Sequence, residues 1–476
     1  MKMTVTESVP KVPRARRDTV CRVRFVAGQK APRYCVHGST ATLEMDVPHE
    51  PLSRHQWMVL MRRTIRTAQS HGIARLIIVW QDIVRDDMDA ATCAQMIAEN
   101  MHMAAYTFRT YKKKPADGWQ DVAEVVMIAP HKERRVIARG VRTGTVIAAQ
   151  VNACRDLANT PGDDMTPALL VRRVRALARG VKNVRVRVLT PQQMRARKMG
   201  GVLAVGRGSA HTPRFLIVEY MGGAKTAKPI VLVGKGVTFD SGGIDVKPYP
   251  YATEMMMDMS GGAAVVTALL AAAKLGLKKN IVALVPAVEN MPGGSSFRPG
   301  DVLRMMDGTT VEVRNTDAEG RLILADALTY AQKYYTPAQI VDVATLTGAA
   351  LVALGQQASA VCTRDDMMAS ELFTCGEESG DRAWPLPLWD EYDVMLKSDV
   401  ADIANISTPG QDRYAGTITA AAFLKHFVDE SIPWAHIDMA PRMTATKDEA
   451  LAPGAAGAPV RLLMRLLMRK GSSAKE

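Results

Sequence analysis

The stretch KPIVLVGKGVTFDSGGIDVKP, residues 228–248, changes from an apolar run into a glycine-rich loop that carries Lys235, Asp240 and Lys247. The apolar run predicts a buried strand, and glycines around a lysine after a strand are typical of a phosphate-binding loop. The G-x-x-x-x-G-K-[ST] form of that loop needs a hydroxyl residue after the lysine, but Gly236 follows Lys235 here. Because the carboxylate of Asp240 would repel a phosphate, the loop is predicted to hold a cation.

The rest of the chain predicts an α/β fold around this loop. Its 476 residues, 47% of them hydrophobic and 5% aromatic, are too many for one ordinary core and indicate at least two domains. Beyond residue 228, helical stretches separate four strand-length apolar runs that lack alternation: PIVLV, NIVALVPAV, AQIVDVATL and WAHIDMA. This order predicts a mixed, largely parallel central sheet flanked by helices. Ligands of such sheets bind at the carboxyl ends of the strands.

The domain boundaries are predicted from where this pattern begins. Residues 1–142 contain strand-like and helix-like segments without a chemical motif, and we expect a smaller amino-terminal α/β domain there. Residues 143–160 predict a connecting helix that stops at the turn-forming run NTPGDDMTP. Residues 161–476 would form the larger domain. No apolar run approaches the roughly 18 residues that a membrane-spanning helix needs, so no membrane partner is predicted.

The cysteines and the amino terminus bear on the cellular compartment. The six cysteines form no C-x-x-C pair and predict free thiols in a reducing compartment. The first 20 residues lack the apolar region of a secretory signal, and Glu7, Asp18 and two prolines interrupt any amphipathic transit helix. A cytoplasmic location is therefore predicted, with a mitochondrial location as the alternative.

The net charge of +13 is concentrated in the amino-terminal part of the chain. Residues 1–200 hold 35 Lys/Arg and 17 Asp/Glu, a balance of +18, whereas residues 201–476 hold 26 and 31, a balance of −5. The simpler interpretation is a solvated basic surface, because the aromatic residues of a single-strand-binding platform are not interleaved with these charges. A nucleic-acid-binding or scaffold protein that uses the basic first 200 residues is the alternative.

Two further segments add acidic residues to the predicted cation site. Asp258 stands in a methionine-rich stretch just ahead of an alanine-rich helix. The segment NTDAEGRL, at residues 315–322, carries two acids and a base at Asp317, Glu319 and Arg321. In extended backbone, side chains spaced by two residues point to one side, so these three are expected to share a face.

Together with Asp240, these segments supply four carboxylates, whose charge two divalent cations would balance. Oxygen ligands suit magnesium, manganese or a two-zinc hydrolytic site, and the HExxH zinc signature is absent from the sequence. The lysines need separate roles. A lysine close to two cations has a lowered pKa and can coordinate as a neutral amine, whereas a charged lysine at the rim can stabilise an oxyanion.

VGKGVTFDSGG, the lysine of IDVKP and above all NTDAEGRL resemble the leucyl aminopeptidase (cytosol aminopeptidase) family of dinuclear metallopeptidases. The resemblance runs from NACRDLANTP at residue 152 to APGAAGAPVRLL near the carboxyl terminus. It implies a metal-dependent aminopeptidase that releases amino-terminal residues, preferentially leucine or other apolar ones, from peptide substrates in peptide catabolism. It also implies a homohexamer. Under the alternative, the chain is a nucleic-acid-binding or scaffold protein that uses its basic first 200 residues and contains a peptidase-like core.

The resemblance also assigns a role to each matching residue. Lys247 would stabilise the oxyanion that forms when a metal-bridging water attacks the scissile carbonyl, and Arg321 would hold a bicarbonate that relays the proton. Two divalent ions are implied, Zn²⁺ or Mn²⁺, with Mg²⁺ or Co²⁺ as alternatives. The implied metal ligands are Lys235, Asp240, Asp258, Asp317 and Glu319. The pocket for the first side chain would be lined by Met255, Thr345, Gly348, Ala440 and Met443.

The chain departs from the family pattern near these positions. Asp245 and Ser260 stand where other small or neutral residues are expected, and Pro441-Arg442 follows Ala440 where a glycine is usual. The loop ISTPGQDRYAG is longer and more polar than is typical. These departures are expected to bear on substrate preference, since none of them replaces an implied ligand or catalytic residue.

Overall fold

The computed structural model of the chain describes residues 1–8, 20–28, 30–37, 40–408, 410–411 and 414–469. The chain divides into two compact units. The first comprises Met1–Asn152 and Ala445–Pro453, and the second comprises Ala153–Thr444 and the residues from Gly454 onward. Residues 409, 412 and 413 of the loop ISTPGQDRYAG lie outside the described residues. So do residues 9–19 of the amino-terminal segment that bears on the cellular compartment.

The first unit is built on a six-stranded sheet in the order β1-β6-β5-β2-β4-β3. Its neighbouring strands run parallel except β3 and β4, which are antiparallel. The apolar core lies between the sheet and the helices, with Leu43 and Val125 from strands and Ile65 and Ile97 from helices. The elements are β1 Lys2–Thr6, β2 Val20–Ala27, β3 Arg33–His37, β4 Thr40–Val47, α1 Arg54–Ser70, β5 Arg75–Val79, α2 Ala90–Ala105, β6 Glu124–Ile128 and the first part of α3 Arg134–Asn159.

Helix α3 is longer than the connecting helix predicted at residues 143–160, because it begins at Arg134. Two glycines, Gly140 and Gly144, lie in its first half, although glycine disfavours helices. In the structure both glycines pack against helix α2. A β-carbon would come within 2.2 Å of the Ala91 carbonyl oxygen at Gly140, and within 2.1 Å of the Gln95 carbonyl oxygen at Gly144. The glycines therefore permit a close helix–helix approach and do not end the helix.

The second unit contains a nine-stranded mixed sheet, a three-stranded sheet and the remaining helices. Its first elements are α4 Pro167–Ala178, β7 Val184–Leu189, α5 Pro191–Ala196, α6 Gly200–Val205, β8 Arg214–Met221, β9 Ile230–Gly234, β10 Gly236–Asp240, α7 Ser260–Leu275, β11 Asn280–Asn290, β12 Val302–Arg304 and β13 Thr310–Glu312. The later ones are α8 Gly320–Tyr335, β14 Gln339–Ala344, α9 Gly348–Leu354, β15 Ser359–Thr363, α10 Asp366–Ser379, β16 Ala383–Leu386, β17 Ile403–Ala404, α11 Gly416–Lys425, β18 Trp434–Asp438 and α12 Val460–Met468.

The four apolar runs predicted as strands form the centre of the large sheet. Its order is β16-β15-β18-β14-β9-β11-β8-β7, and β10 also pairs with β11. Strands β18, β14, β9 and β11 are neighbours, and each pair runs parallel. Strand β8 is antiparallel to β11, and β15 is antiparallel to β18. The predicted mixed, largely parallel sheet flanked by helices is therefore confirmed.

Burial on both faces explains why these strands lack alternation. All eleven residues of β11 are buried, and helices α7 and α8 both pack against β9 and β11. The expectation that no segment is long and apolar enough to cross a membrane was wrong. The stretch Tyr251–Leu275 is long and apolar enough to cross a membrane, but 89% of its most apolar window is buried inside the structure. Its apolar residues therefore serve the protein core, as in a central helix of a packed α/β unit.

The basic run VRRVRALARGVKNVRVRV forms a helix followed by a strand, as its spacing predicts. In α4, Leu170, Val171 and Val174 are buried, while Arg172 and Arg173 are exposed. In β7, Arg187 pairs with Glu219 of β8 at 2.7 Å. The basic residues of this run thus occupy the solvent side of ordinary amphipathic elements.

Candidate active site

The candidate site lies where the parallel strands of the large sheet end. Lys235 directly follows β9, Asp240 is the last residue of β10, and Thr345 directly follows β14. Lys235 and Asp240 are 3% and 2% exposed, so the site starts from charged groups that are almost fully enclosed. Such groups are stable only when other charges or hydrogen bonds compensate their lost hydration.

The glycine pair after Asp240 folds the opening loop back on itself. Gly242 and Gly243 adopt φ values of +90° and +68°, which side chains other than glycine rarely adopt. The Gly242 amide donates to Asp240 Oδ1 at 2.9 Å, and the Lys247 amide donates to the Ser241 carbonyl oxygen at 2.9 Å. This turn returns Lys247 to the carboxylate that precedes it.

Each lysine of the opening stretch lies between two carboxylates. Lys235 Nζ is 2.9 Å from Asp258 Oδ2 and 2.7 Å from Glu319 Oε1. Lys247 Nζ is 2.9 Å from Asp240 Oδ2 and 2.5 Å from Asp317 Oδ1. The structure therefore brings together all four carboxylates and both lysines that the sequence singled out.

The segment NTDAEGRL forms a turn, and the extended backbone expected for it is wrong. The Asn315 side chain accepts a hydrogen bond from the Asp317 amide at 2.7 Å, which closes the turn. Glu319 already has helical dihedral angles, φ −81° and ψ −34°, and α8 begins at Gly320. A turn that leads into a helix still gathers both acids, since one oxygen from each lies within 4.8 Å of the other and of Asp240.

Gly320 is required by the lysine that packs against it. A β-carbon at this position would lie 2.8 Å from Nζ of Lys235, closer than packed atoms approach. The glycine of NTDAEGRL therefore allows the helix to start directly beside the buried ammonium group. The same packing places Glu319 within ion-pair distance of Lys235.

Asp245, one of the departures from the family pattern, ties the two loops together. Its Oδ2 accepts hydrogen bonds from the Thr316 amide at 2.8 Å and from the Thr316 hydroxyl at 3.0 Å. The Asp245 amide in turn donates to Thr316 Oγ1 at 2.9 Å. This reciprocal pair fixes the loop that bears Lys247 to the segment that bears Asp317.

The residues of the site fit divalent cations. Four carboxylates face two ammonium groups, which leaves two negative charges in excess when all six groups are charged. Asp258 Oδ2, Asp317 Oδ1 and Glu319 Oε1 are buried and receive no directed hydrogen bond from the described residues, although a lysine lies at ion-pair distance from each. Hard oxygen atoms with unused lone pairs are the ligands that Zn²⁺, Mn²⁺ and Mg²⁺ take in hydrolases.

Burial and the neighbouring carboxylates raise the pKa values of three acidic residues in the site. Burial, together with the neighbouring Glu319 and Asp240, raises the pKa of Asp317 from 3.8 to about 7. Burial and adjacent carboxylates also raise the pKa values of Asp258 and Glu319. Burial alone would lower the pKa of Lys235, but Asp258 and Glu319 raise it above the ordinary value. A neutral Lys235 therefore requires cations, because the carboxylates by themselves keep the amine protonated.

Arg321 lies in the first turn of α8, two residues after Glu319. One of its terminal nitrogens donates to the Asn405 carbonyl oxygen at 2.8 Å, and the residue is 7% exposed. Burial lowers its pKa to about 10 despite the nearby carboxylates of Glu319 and Asp438. Its Nε is buried and has no acceptor among the described residues, so at least this N–H of the guanidinium can donate to a small anion.

Four of the five predicted pocket residues lie on two segments that Asp438 joins. Asp438 Oδ1 accepts hydrogen bonds from the amide of Leu346 at 3.0 Å and from that of Ala440 at 3.2 Å. The four residues are Thr345, Gly348, Ala440 and Met443. The fifth, Met255, lies in the short 3₁₀ helix Tyr251–Met257 that leads to Asp258.

Asn405, which holds both Arg321 and the NTDAEGRL segment, was not among the residues predicted from the sequence. Its side-chain amide donates to the Asn315 carbonyl oxygen at 2.6 Å, and its Oδ1 accepts from the Arg314 amide at 2.8 Å. The amide of Asn290, at the end of β11, similarly donates to Asp240 Oδ1 at 2.9 Å. Asn290 follows a predicted strand and could be suspected, whereas Asn405 lies in a loop far along the chain.

An α/β sheet whose strand ends enclose an excess of carboxylates, two lysines and a buried arginine defines a metal-dependent hydrolase. The profile of the family described as "Cytosol aminopeptidase family, catalytic domain" matches residues 152–464. The chain belongs to this family and is a metal-dependent aminopeptidase, which acts on peptide substrates and uses a dinuclear metal site.

Individual relatives show the same likeness. The chain is 48% identical over 388 residues to a "Probable cytosol aminopeptidase" of Roseiflexus castenholzii, over 81% of this chain and 78% of the relative. It is 42% identical over 412 residues to a protein of the same name from Nitrosococcus oceani, over 86% of this chain and 80% of that relative.

Two solved structures share the fold. The bottromycin maturation enzyme BotP in complex with Mn superposes with a TM-score of 0.83 at 32% identity, covering 95% of this chain and 99% of BotP. A tomato leucine aminopeptidase mutant superposes with a TM-score of 0.84 at 25% identity, covering 99% of this chain and 97% of that chain.

Proposed function

We propose that this aminopeptidase prefers peptides that begin with leucine or another apolar residue, and that the buried charge cluster carries out the reaction. The observation that carries the proposal is the meeting of Asp240, Asp317 and Glu319, each with one oxygen within 4.8 Å of the others. An enclosed group of this kind, placed at strand ends beside a buried arginine, supports peptide-bond hydrolysis with bound cations.

Five side chains would hold the two divalent cations. Carboxylates of this kind bind Zn²⁺ and Mn²⁺, and the neutral amine of Lys235 would complete the set once cations displace its proton. Bound there, the cations would supply Lewis acidity and an activated water for attack on the scissile carbonyl. The five side chains are those of Lys235, Asp240, Asp258, Asp317 and Glu319.

Lys247 would stabilise the oxyanion of the tetrahedral intermediate. Asp240 and Asp317 hold its ammonium group from two sides, so its direction is fixed before substrate binds. Burial would lower the pKa of Lys247, but these carboxylates and Glu319 raise it, which keeps the group charged at neutral pH. A fixed cation next to the developing negative charge is what oxyanion stabilisation requires.

Arg321 would hold a bicarbonate that relays the proton. The buried Nε donor supports this role, because a small anion provides the acceptor that the described residues do not. The carbonyl of Asn405 fixes the other side of the guanidinium at 2.8 Å. An anion held in this way can move a proton near the scissile bond without a histidine or glutamate base.

Apolar and small residues would line the pocket for the first side chain. Gly348 supports this role, because a β-carbon there would meet no atom within 4 Å, which indicates open space beside it. Met255 and Met443 are half-buried and flexible enough to adapt to apolar side chains. A cytoplasmic homohexamer, to which residues 1–142 contribute assembly or regulatory contacts, completes the proposal.

A panel of aminoacyl amides tests the substrate preference. With Mn²⁺ or Zn²⁺ bound, kcat/KM for leucyl and methionyl amides is expected to exceed that for glycyl amide by at least about tenfold, because the pocket buries the apolar side chain. Adding bicarbonate to carbonate-free buffer should raise kcat for every substrate. Lysyl and glutamyl amides serve as charged controls. Equal rates for apolar and charged residues, with either metal, would show that the proposed pocket does not select the first residue.

A further inference from the structure

A single buried carboxylate holds the two segments that would form the substrate pocket. Asp438 ends strand β18 and is 0% exposed. Its Oδ1 accepts hydrogen bonds from the Leu346 and Ala440 amides, at 3.0 and 3.2 Å, and its Oδ2 accepts one from the Thr347 hydroxyl at 2.6 Å. One side chain thus fixes the segment after β14 and the turn after β18.

The hydroxyl of Thr347 can pair with Asp438 in one direction only. Thr347 Oγ1 accepts from the Ala350 amide at 3.2 Å, which caps helix α9, and lies 3.0 Å from Thr417 Oγ1. A hydroxyl has one proton, and a carboxylate can only accept, so Thr347 donates to Asp438 and Thr417 donates to Thr347. A donor at the position of Asp438 Oδ2 would therefore force the Thr347 hydroxyl to turn its proton away from residue 438 and donate it to Thr417.

The same segment also touches the candidate metal ligands. Thr345 Oγ1 donates to Asp258 Oδ1 at 2.7 Å, and the Thr345 carbonyl oxygen accepts from Lys235 Nζ at 3.0 Å. The position of residues 345–348 is thus set from one side by the charge cluster and from the other by Asp438. A shift of this segment would move the pocket wall relative to the reacting groups.

We infer that Asp438 is a positioning residue that sets the selectivity for the first side chain of the substrate, through its hydrogen bonds to Leu346, Thr347 and Ala440. This inference rests on the proposed function, because it assumes that residues 345–348 and 440–443 line the pocket. Asp438 itself would not contact the substrate. It holds the two walls at a fixed separation, on which discrimination between side-chain sizes depends.

Asp438→Asn and Thr347→Val test the inference. In Asp438→Asn one side of the new amide is a donor, which must face either the Leu346 and Ala440 amides, which can only donate, or Thr347, whose hydroxyl must then turn away. In Thr347→Val the hydroxyl is removed at nearly constant shape. Each variant is expected to lower the ratio of kcat/KM for leucyl over alanyl amide by about tenfold. The double variant should lose no more selectivity than either single one, since both remove the same contact. Thr347→Ser, which keeps the hydroxyl, is the matched control and should keep the wild-type ratio.

The metal content and the denaturant midpoint of each variant show whether a lower selectivity comes from a displaced pocket wall or from a loss of bound metal or stability. If Thr347→Val keeps the same ratio as Thr347→Ser, or if all substrates slow equally in Asp438→Asn, the inference is wrong. The threonine pair decides the matter even when Asp438→Asn does not fold. A wild-type enzyme that shows no preference for leucine would contradict the proposed function instead, so the two failures are distinguishable.

Discussion

Replacement of Lys247 by methionine is expected to lower kcat by about 10²- to 10³-fold, with much less change in KM. Methionine keeps the length of the side chain but removes the charge that Asp240 and Asp317 hold in place. The loss falls on kcat because the cation acts on charge that develops in the transition state and is nearly absent from the bound substrate. Steady-state kinetics on leucyl amide measure the effect.

The metal content of the variant decides how that loss is interpreted. Wild-type stoichiometry in Lys247→Met would assign the loss to the oxyanion and not to the cations. Lys278→Met, at an exposed position in the turn between α7 and β11, is the matched control and should keep wild-type kcat. A fully metal-loaded Lys247→Met enzyme that retains more than about a third of wild-type kcat would contradict the proposed role.

Replacement of Glu319 by glutamine is expected to weaken metal binding by more than about 100-fold and to abolish hydrolysis at low metal concentration. Changes to groups that merely orient a ligand cost about 10- to 100-fold in affinity, and Glu319 is proposed as a ligand itself. Its side chain is 1% exposed and meets Lys235 at 2.7 Å, so glutamine fits the space but lacks the charge. Isothermal titration with Mn²⁺ into chelator-treated protein measures the loss.

Glu319→Gln should also make the free energy of unfolding of the chelator-treated protein less dependent on pH. A carboxyl group whose pKa is raised by folding binds its proton more tightly in the folded chain, so its raised pKa lowers the free energy of unfolding as pH rises. For Asp317 this decrease spans pH 3.8 to about 7. The raised pKa values of the two lysines lie far above this window and do not affect it. Removing the neighbouring charge of Glu319 should therefore make the decrease smaller.

Denaturant unfolding of the chelator-treated protein between pH 5 and pH 8 checks this expectation. Glu254→Gln removes an exposed carboxylate four residues before Asp258 and should leave the pH dependence unchanged. A Glu319→Gln protein that binds Mn²⁺ as tightly as wild type would remove Glu319 from the ligand set. A pH dependence as steep as that of wild type would mean that the carboxylates do not repel one another in the folded chain.

Residues close together in sequence accounted for most of what could be predicted. The four unalternating apolar runs predicted strands β9, β11, β14 and β18 because burial on both faces leaves a direct signature in composition. All six cysteines are free thiols, as their spacing indicated. Lys235, Asp240 and Lys247 could be assigned to one site because a tight glycine turn limits how far apart they can lie.

Contacts between distant segments could not be predicted. Asn405 reaches Asn315 across 90 positions, and nothing in its own neighbourhood distinguishes it from any loop asparagine. The start of α3 at Arg134 was not predicted, and Gly140 fits within this helix because it packs against Ala91 of another helix. Asp317 and Glu319 meet through a turn and not through a strand, because the side chain of Asn315 closes the backbone there. For Asn405 and Gly140 a tertiary contact determines the structure, whereas the turn at Asn315 is a local feature that the expectation of extended backbone overlooked.

Mass analysis of the products from one peptide shows whether the enzyme is a metal-dependent aminopeptidase. A leucine-headed pentapeptide and its N-acetylated form are incubated with the Mn²⁺-loaded enzyme, with and without a chelator. Free leucine and the tetrapeptide are expected to appear first, only from the unblocked peptide, and only while metal is bound. Cleavage of the N-acetylated peptide, cleavage at an internal bond, or undiminished release of leucine after metal removal would contradict this expectation.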